Sequence, residues 1–320
     1  MDIARGVAIL MVINWHIINF KDCWTNAWVM PIFFFIMGFF YKYEPSFRNL
    51  IIKKFKTLLI PMILWSIPMF VYDAFSLPPS DLLFLVVHPF KSVYSVSWFL
   101  ICTFFCYVFY NLLNFIFRKQ IVYITLASFT LSYISYTLSQ NVVIFGHRFL
   151  LPFYMSTSVT CMAFLSIGQL TKRLKDKNLI VTFAKGNKSA PFLYILFLTF
   201  IVMTILGGQL MGYHWCAYAS NLLYGQTYFI TIGFAILSCY SILMVSIILY
   251  RVWPISSLLI FSGKHSLLLL MVHPYIKNIL SLMIDKDILI FLLTIGFSIC
   301  TSYIISKYIP FLEGRIANLH

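Results

Sequence analysis

Long apolar runs alternate with short polar connections along the whole chain. A helix needs about 20 mostly apolar residues to cross a bilayer, and lipid-exposed backbone must satisfy its own hydrogen bonds. The pattern therefore predicts an all-α integral membrane protein with about ten transmembrane helices. The predicted spans are 3–20, 27–42, 57–75, 94–117, 121–139, 149–170, 191–211, 226–250, 264–284 and 288–306, and a shorter amphipathic segment at 81–90 is expected at the membrane surface.

The composition supports this interpretation and excludes a soluble fold. Hydrophobic residues make up 61% of the 320 residues and charged residues only 10%, whereas soluble domains have about 45–50% apolar and about 25% charged residues. The net charge of +14 would suggest a nucleic-acid partner in a soluble protein. Here the Lys and Arg residues lie between the apolar runs, where they set the orientation of the helices. No nucleic-acid partner is therefore expected.

The distribution of positive charge also predicts the topology. With the N-terminus in the cytoplasm, 18 of the 23 Lys and Arg residues fall on the cytoplasmic side. Cytoplasmic segments of membrane proteins carry such an excess. We therefore expect both termini in the cytoplasm and a single transmembrane domain over residues 1–320, with no soluble extension.

The first predicted helix carries two ionisable residues, Arg5 and His16. Their spacing of eleven residues, at about 100° each, ends about 20° past three full turns with a rise of about 16 Å, so both lie on one helix face. Asn19 lies one turn beyond His16. Ionisable residues inside a span usually face a protein interior or a water-filled cavity and mark a functional site. A snorkelling Arg and a buried structural His are the alternative.

The segment from Asp2 to His16, in which ten residues separate Arg5 from the His, resembles the opening of the membrane-bound acyltransferase family 3, which includes sugar O-acetylases. Later segments resemble further family motifs in the same order. They are Met30-Pro31 before an aromatic run and Gly38, then Trp98-Phe99-Leu100, then Asn221, Tyr224 and Gly225, then Gly263-Lys264-His265-Ser266-Leu267 continuing to His273. His265 departs from the pattern, because an Asn or another small polar residue is expected there.

The resemblance implies an enzyme that transfers an acyl group, most often acetyl, from cytoplasmic acyl-CoA to a hydroxyl of an extracytoplasmic or lipid-linked saccharide. Such an O-acetylation modifies polysaccharide of the cell envelope, and the enzyme is expected in the cytoplasmic membrane of a bacterium as a multi-pass protein. No periplasmic esterase-like domain follows the last predicted helix, so the membrane domain would complete the reaction, alone or with a separate partner. Membrane lipid is a further expected partner, and a homodimer stays open.

Two histidines are the catalytic candidates. His16 would act as general base on the acceptor hydroxyl or would carry the acyl group briefly. His273 would stabilise the oxyanion or orient His16. It precedes Pro274, which frees a backbone carbonyl and is expected to bend this helix. A His bonded to a backbone carbonyl at a kink is the structural alternative for His273.

The remaining candidates would bind the donor and the acceptor. Arg5, Lys53 and Lys54 are expected to attract the phosphates of acetyl-CoA, because Arg gives planar bidentate contacts and Lys adds positive charge. Candidates for the acceptor or its lipid carrier are Asn19, Trp98 and Arg148. Trp98 and Arg148 are equally consistent with interfacial anchoring. No Cys/His cluster has the spacing of metal ligands, so no metal cofactor is expected.

Two other functions fit the same residues. In a proton-coupled transporter or flippase of a glycan precursor, the ionisable residues Arg5, His16 and His273 would form a proton relay. The absence of a convincing internal repeat argues against this alternative, since such folds often contain paired inverted repeats. In a membrane subunit without activity of its own, replacing His16 would change only stability.

Overall fold

The computed structural model describes residues 1–18, 28–76, 96–144, 147–148, 151, 153–176 and 228–314. In these residues the chain is helical apart from connecting turns and one pair of two-residue strands. The helices are α1 (Asp2–Ile17), α2 (Pro31–Phe39), α3 (Phe47–Lys54), α4 (Ile60–Ser76), α5 (Ser97–Ile116), α6 (Ile121–Asn141), α7 (Met155–Asp176), α8 (Tyr228–Leu249), α9 (Ile255–Lys264), α10 (Ser266–Ser281) and α11 (Asp287–Tyr308). A π-helical turn, Phe55–Leu59, joins α3 to α4, and a 3-10 turn, Pro310–Glu313, follows α11.

The predicted all-α class is confirmed in the described residues. The strands β1 (Val143–Ile144) and β2 (His147–Arg148) form an antiparallel pair in which Val143 faces Arg148. In this part of the chain, four helices are long and apolar enough to cross a membrane: α5 from Trp98 onward, α6, α8 and α11. The pair α9 and α10 would make a fifth if it forms one span. The predicted span 191–211 and the surface segment 81–90 lie outside the described residues.

A sharp bend in the described part of the chain lies at His265, and the bend expected at Pro274 stays a prediction. Helices α9 and α10 meet at an angle of 92°, and His265 between them has the non-helical dihedral angles φ −105° and ψ 23°. Helix α10 continues from Ser266 through Pro274 to Ser281. The imidazole of His265 lies at the bend, where its Nδ1 is 2.8 Å from Oε1 of Glu313.

Helix α1 is held against α9 by two glycines that face each other's backbone. A Cβ atom on Gly6 would lie 2.1 Å from the carbonyl oxygen of Leu259, and a Cβ on Gly263 would lie 1.8 Å from that of Asp2. Small residues at such crossings let membrane helices approach closely. The arrangement fixes the N-terminal half of the predicted first span, which carries Arg5, against the α9–α10 unit.

A second crossing of the same kind joins α2 to α7. A Cβ on Gly38 would lie 1.8 Å from the carbonyl oxygen of Leu165, and one on Gly168 would lie 1.9 Å from that of Phe35. The loop after α2 is tied to α5 by Asn111, whose Oδ1 accepts a 2.7 Å hydrogen bond from the Tyr41 hydroxyl. Helices α1, α2 and α5 all contribute side chains to one interior cavity.

Candidate functional site

A cavity of about 260 Å³ opens beside α1 and is called here the α1 cavity. Its wall is formed by α1, α2, the end of α3 with the π-helical turn, α5 and the start of α10. Most of the wall is apolar, as at Ile9, Val12 and Phe33. The polar residues in the wall are Arg5, Lys54, Thr103, Tyr107 and Ser266.

One end of the α1 cavity carries positive charge. The Arg5 side chain is 30% exposed, and its guanidinium donates a 2.7 Å hydrogen bond from an Nη atom to Oδ1 of Asp2. The Lys54 ammonium lies 3.4 Å from the centre of the Tyr107 ring, within the range of a cation–π interaction. Burial lowers the pKa of Lys54 to about 8, with a smaller contribution from the charge of Lys53. Lys54 thus titrates near physiological pH.

The packing of α3 gives the adjacent residues Lys53 and Lys54 different environments. Lys54 lines the α1 cavity and is half-buried, whereas Lys53 is exposed and is not part of the cavity wall. The two residues were equivalent donor-binding candidates in the sequence. The structure therefore favours Lys54 alone as a contact for a ligand inside the cavity.

His16 and His273 meet one helical turn beyond the other end of the cavity. On α1 the wall residues Arg5, Ile9 and Val12 are followed one turn later by His16, and on α10 Leu270 is followed one turn later by His273. Nδ1 of His16 lies 2.9 Å from Nε2 of His273. The two rings are stacked, with centroids 5.1 Å apart and an interplanar angle of 18°.

The hydrogen bonds of this pair fix the positions of the ring protons. Nδ1 of His273 lies 2.9 Å from the carbonyl oxygen of Leu269, and a carbonyl can only accept, so this nitrogen carries a proton. With both rings neutral, Nε2 of His273 is an acceptor and Nδ1 of His16 donates to it. Nε2 of His16 therefore keeps a free lone pair. His273 is fully buried and His16 only partly, so His16 is the accessible member of the pair.

Three other site residues were predicted for the acceptor, namely Asn19, Trp98 and Arg148. Asn19 lies outside the described residues. Trp98 is half-buried beside Phe99 and Tyr154, with ring centroids 6.1 Å away in both cases, and is not part of the cavity wall. Arg148 lies in the two-residue strand β2. The placement of these three acceptor-binding candidates relative to the histidine pair stays a prediction.

Sequence reasoning missed Thr103 and Tyr107, which lie one turn apart on α5 and both line the cavity. Their spacing of four residues in a mostly apolar span was a usable signal, because residues i and i+4 share a helix face. His265, the departure from the family pattern, pairs with Glu313 of the C-terminal 3-10 turn. Among the described residues, no group of three or more His, Cys, Asp and Glu side chains is arranged to hold a metal ion.

Comparison with known families identifies the chain. The family model described as an acyltransferase domain, that of acyltransferase family 3, matches residues 1–307. Comparisons with curated proteins and with solved structures found no match. The family match confirms the resemblance inferred from the Arg5 to His16 segment and the later motifs, and it supports acyl transfer as the general activity. With 1–307 matched, this chain belongs to acyltransferase family 3, a family of membrane-bound acyltransferases.

Proposed function

We propose that this protein transfers an acetyl group from cytoplasmic acetyl-CoA to a hydroxyl of an extracytoplasmic or lipid-linked saccharide. The observation that carries the proposal is the His16–His273 pair, with its 2.9 Å hydrogen bond, placed one turn beyond an apolar cavity that begins at Arg5 and Lys54. A polyanionic donor with a long uncharged arm matches a cavity with cations at one end and a base beyond the other. Family membership favours acyl transfer over the transporter alternative.

His16 acts as the general base in the proposed reaction. Its Nε2 takes the proton of the acceptor hydroxyl while the hydroxyl oxygen attacks the thioester carbonyl carbon. When the C–S bond breaks, the proton on His16 passes to the departing CoA thiolate, so that the products are the acetyl ester and the free thiol. This cycle leaves both histidines in their starting protonation states.

His273 supports His16 without touching the reacting atoms. Its bond to the Leu269 carbonyl holds its own tautomer, and its Nε2 accepts the Nδ1 proton of His16. A base whose second nitrogen is held by a third group keeps the correct tautomer and orientation, as in other nucleophile–base systems. His273 is therefore a positioning residue in this mechanism.

Arg5 and Lys54 bind the phosphates of the donor. The Arg5 guanidinium contacts Asp2 through one Nη atom, which leaves other donors of its planar fork for a phosphate. The arm of the donor then follows the apolar wall toward His16, over the helical rise of about 16 Å between Arg5 and His16. Asn19, Trp98 and Arg148 are proposed on the acceptor side, where a saccharide or its lipid phosphate would bind.

We further propose the topology expected from the sequence, with about ten spans, both termini in the cytoplasm and the chain in the cytoplasmic membrane of a bacterium. It is supported by the positive charge predicted on the cytoplasmic side, 18 of 23 Lys and Arg residues. This topology places Arg5 and Lys54 on the side where acetyl-CoA is available.

The proposal is tested with purified protein in lipid nanodiscs, acetyl-CoA and a panel of bacterial saccharides and lipid-linked sugars. We expect thiol release and acetyl transfer with the wild type, loss of transfer in His16→Ala, and unchanged transfer in Asn14→Ala, a polar residue elsewhere on α1. CoA binding should be retained in both variants. A wild type that neither binds CoA nor consumes the thioester would refute the proposal and favour the transporter alternative.

A further inference from the structure

Thr103 has a buried hydroxyl group without a hydrogen-bond partner. Its side chain is 4% exposed, and Oγ1 makes no hydrogen bond within the described part of the chain. Buried hydroxyls inside helices usually bond to the carbonyl four residues before them. Several here do so at 2.7 to 2.9 Å, namely Thr171 to Ile167, Ser246 to Ile242 and Ser262 to Leu258. Six buried hydroxyls of the described helices have no partner, and of these only Thr103 lines the α1 cavity; the other five are Thr125, Ser128, Thr294, Ser298 and Ser302.

The position of Thr103 in the cavity wall distinguishes it from the other five hydroxyls. Thr103 lines the α1 cavity, and so does Arg5, whose Nε is also buried and without a partner. A buried polar group left without a hydrogen bond costs about 1–3 kcal/mol, so such groups need an explanation. Two of them in the wall of one cavity indicate a ligand that supplies polar atoms there.

The position of Thr103 indicates which part of the ligand it meets. Tyr107, whose ring contacts the Lys54 ammonium, lies one turn from Thr103 on α5, and Phe99 lies one turn away in the other direction. Thr103 is therefore about 6 Å along the helix from the cationic end. A donor phosphate at that end places the middle of the donor arm beside Thr103. The phosphate itself stays with Lys54 and Arg5.

We propose that the Thr103 hydroxyl binds an amide of the pantetheine arm of the donor. This inference rests on the function proposed above. The arm contains two secondary amides, and each needs hydrogen bonds when it leaves water. The nearby wall residues Phe99 and Leu100 offer none from their side chains. A hydroxyl can donate to an amide carbonyl or accept from an amide N–H. Thr103 thus selects donors that carry an amide at this depth and fixes the position of the thioester.

The test compares Thr103→Val with Thr103→Ser and with Thr294→Val, each with acetyl-CoA and with the acetyl thioester of 2-mercaptoethanol, which has no amide. Valine keeps the shape of threonine and removes the hydroxyl, and serine keeps the hydroxyl. Thr294 is the matched control, because its hydroxyl is also fully buried and without a partner but is not part of the cavity wall.

We expect Thr103→Val to raise KM for acetyl-CoA roughly tenfold, the effect of one lost hydrogen bond to a buried group. Thr103→Ser and Thr294→Val should stay within about twofold of the wild type. With the amide-free thioester, Thr103→Val and the wild type should have equal KM. KM for the saccharide should not change in any of these variants.

Three results would overturn the inference. The first is an unchanged KM for acetyl-CoA in Thr103→Val, and the second is an equal rise with the amide-free thioester, which would indicate altered cavity shape. The third is a rise in KM for the saccharide in place of the donor, which would assign the hydroxyl to the acceptor. Activity of the wild type tests the proposed function separately, so a failure there is distinguishable from a failure at Thr103.

Discussion

The two ends of one face of α1 hold their polar groups in different ways. At the Arg5 end the charges remain partly solvated, with an ion pair to Asp2 whose side chains are 30% and 36% exposed. At the His16 end the partner imidazole of His273 has no exposed surface and is satisfied by the Leu269 carbonyl. A charge at the first end is tolerated because it keeps some water, whereas the second end is satisfied by a chain of neutral hydrogen bonds.

This difference separates binding from chemistry along 16 Å of helix, by the rise of about 1.5 Å per residue. Partly solvated cations attract an anionic ligand, but their fields are screened and they contribute mainly to affinity. A base fixed by two consecutive hydrogen bonds is pre-organised for proton transfer and contributes mainly to rate. Changes at the histidine end should therefore lower kcat, and changes at the cationic end should raise KM for the donor.

The largest effect is expected from His16. His16→Ala removes the accessible imidazole, and kcat should fall about 10³-fold, within the range of general base catalysis. KM for acetyl-CoA should change little, since the cationic end is intact. The measurement is steady-state acetyl transfer with purified protein in nanodiscs.

The same preparation distinguishes a base from an acyl carrier. Wild-type protein incubated with labelled acetyl-CoA and no acceptor should accumulate no acetyl group on His16, as judged by mass spectrometry of rapidly quenched protein. A stable fraction of acetylated His16 that reacts on addition of saccharide would contradict the general-base mechanism.

A smaller fall in kcat is expected when His273 is replaced. His273→Leu removes the acceptor for the His16 Nδ1 proton, so His16 loses its fixed tautomer, and kcat should fall about 10²-fold. His273→Gln retains an acceptor and should recover part of this loss. If His273 had only a structural role, both variants would have a lower melting temperature, and their kcat values would be the same.

Replacing Arg5 should affect KM for the donor and not kcat. Arg5→Gln should raise KM for acetyl-CoA roughly tenfold and leave kcat within about threefold, because it removes a charge-assisted contact to phosphate. Arg5→Lys should recover only part of the affinity, since an ammonium cannot form the planar bidentate contact. A fall in kcat with unchanged KM in Arg5→Gln would contradict the proposal that one end of α1 serves binding and the other serves chemistry.

The sequence predicted part of the difference between the two ends of α1, and the remaining features depend on how the helices pack. The Arg5–His16 spacing predicted a shared helix face without any neighbour, because helix periodicity alone decides it. Lys53 and Lys54 could not be distinguished, since only the neighbouring helices determine which of two adjacent residues turns inward. The sharp bend at His265 was not predicted, because it depends on tertiary contacts such as that of His265 with Glu313 and the close approach of Gly263 to Asp2.

Thr103 shows the limit of sequence reasoning most clearly. Hydroxyl residues are frequent in this chain's apolar helices, and most bond to their own backbone. Among the described hydroxyls without such a bond, only the cavity wall distinguishes Thr103 from the others. The site residue His273 was a candidate by residue type, but its distance to His16 depends on the packing of α1 against α10, which are far apart in sequence.

Replacing Lys54 should have the smallest effect, a change in how the affinity for CoA depends on pH. Burial lowers the pKa of Lys54 to about 8 in the free protein, and a bound phosphate favours the charged amine and so raises that pKa. The dissociation constant of CoA should therefore be constant below pH 8, rise by a few-fold between pH 8 and the higher pKa of the complex, and then level off. Lys54→Met should bind with the weaker, high-pH affinity at every pH.

Lys53 provides the matched control for this step, because its charge contributes to the lowered pKa of Lys54 while its own side chain is exposed. Lys53→Met should keep the pH step and move it to higher pH, since one repulsive charge beside Lys54 is removed. Isothermal titration with CoA between pH 6.5 and about 9.5 measures all three proteins. If the wild type shows no step, neither lysine contacts the phosphate and the cationic end is reduced to Arg5. If Lys53→Met abolishes the step, the phosphate contact is made by Lys53 and not by Lys54.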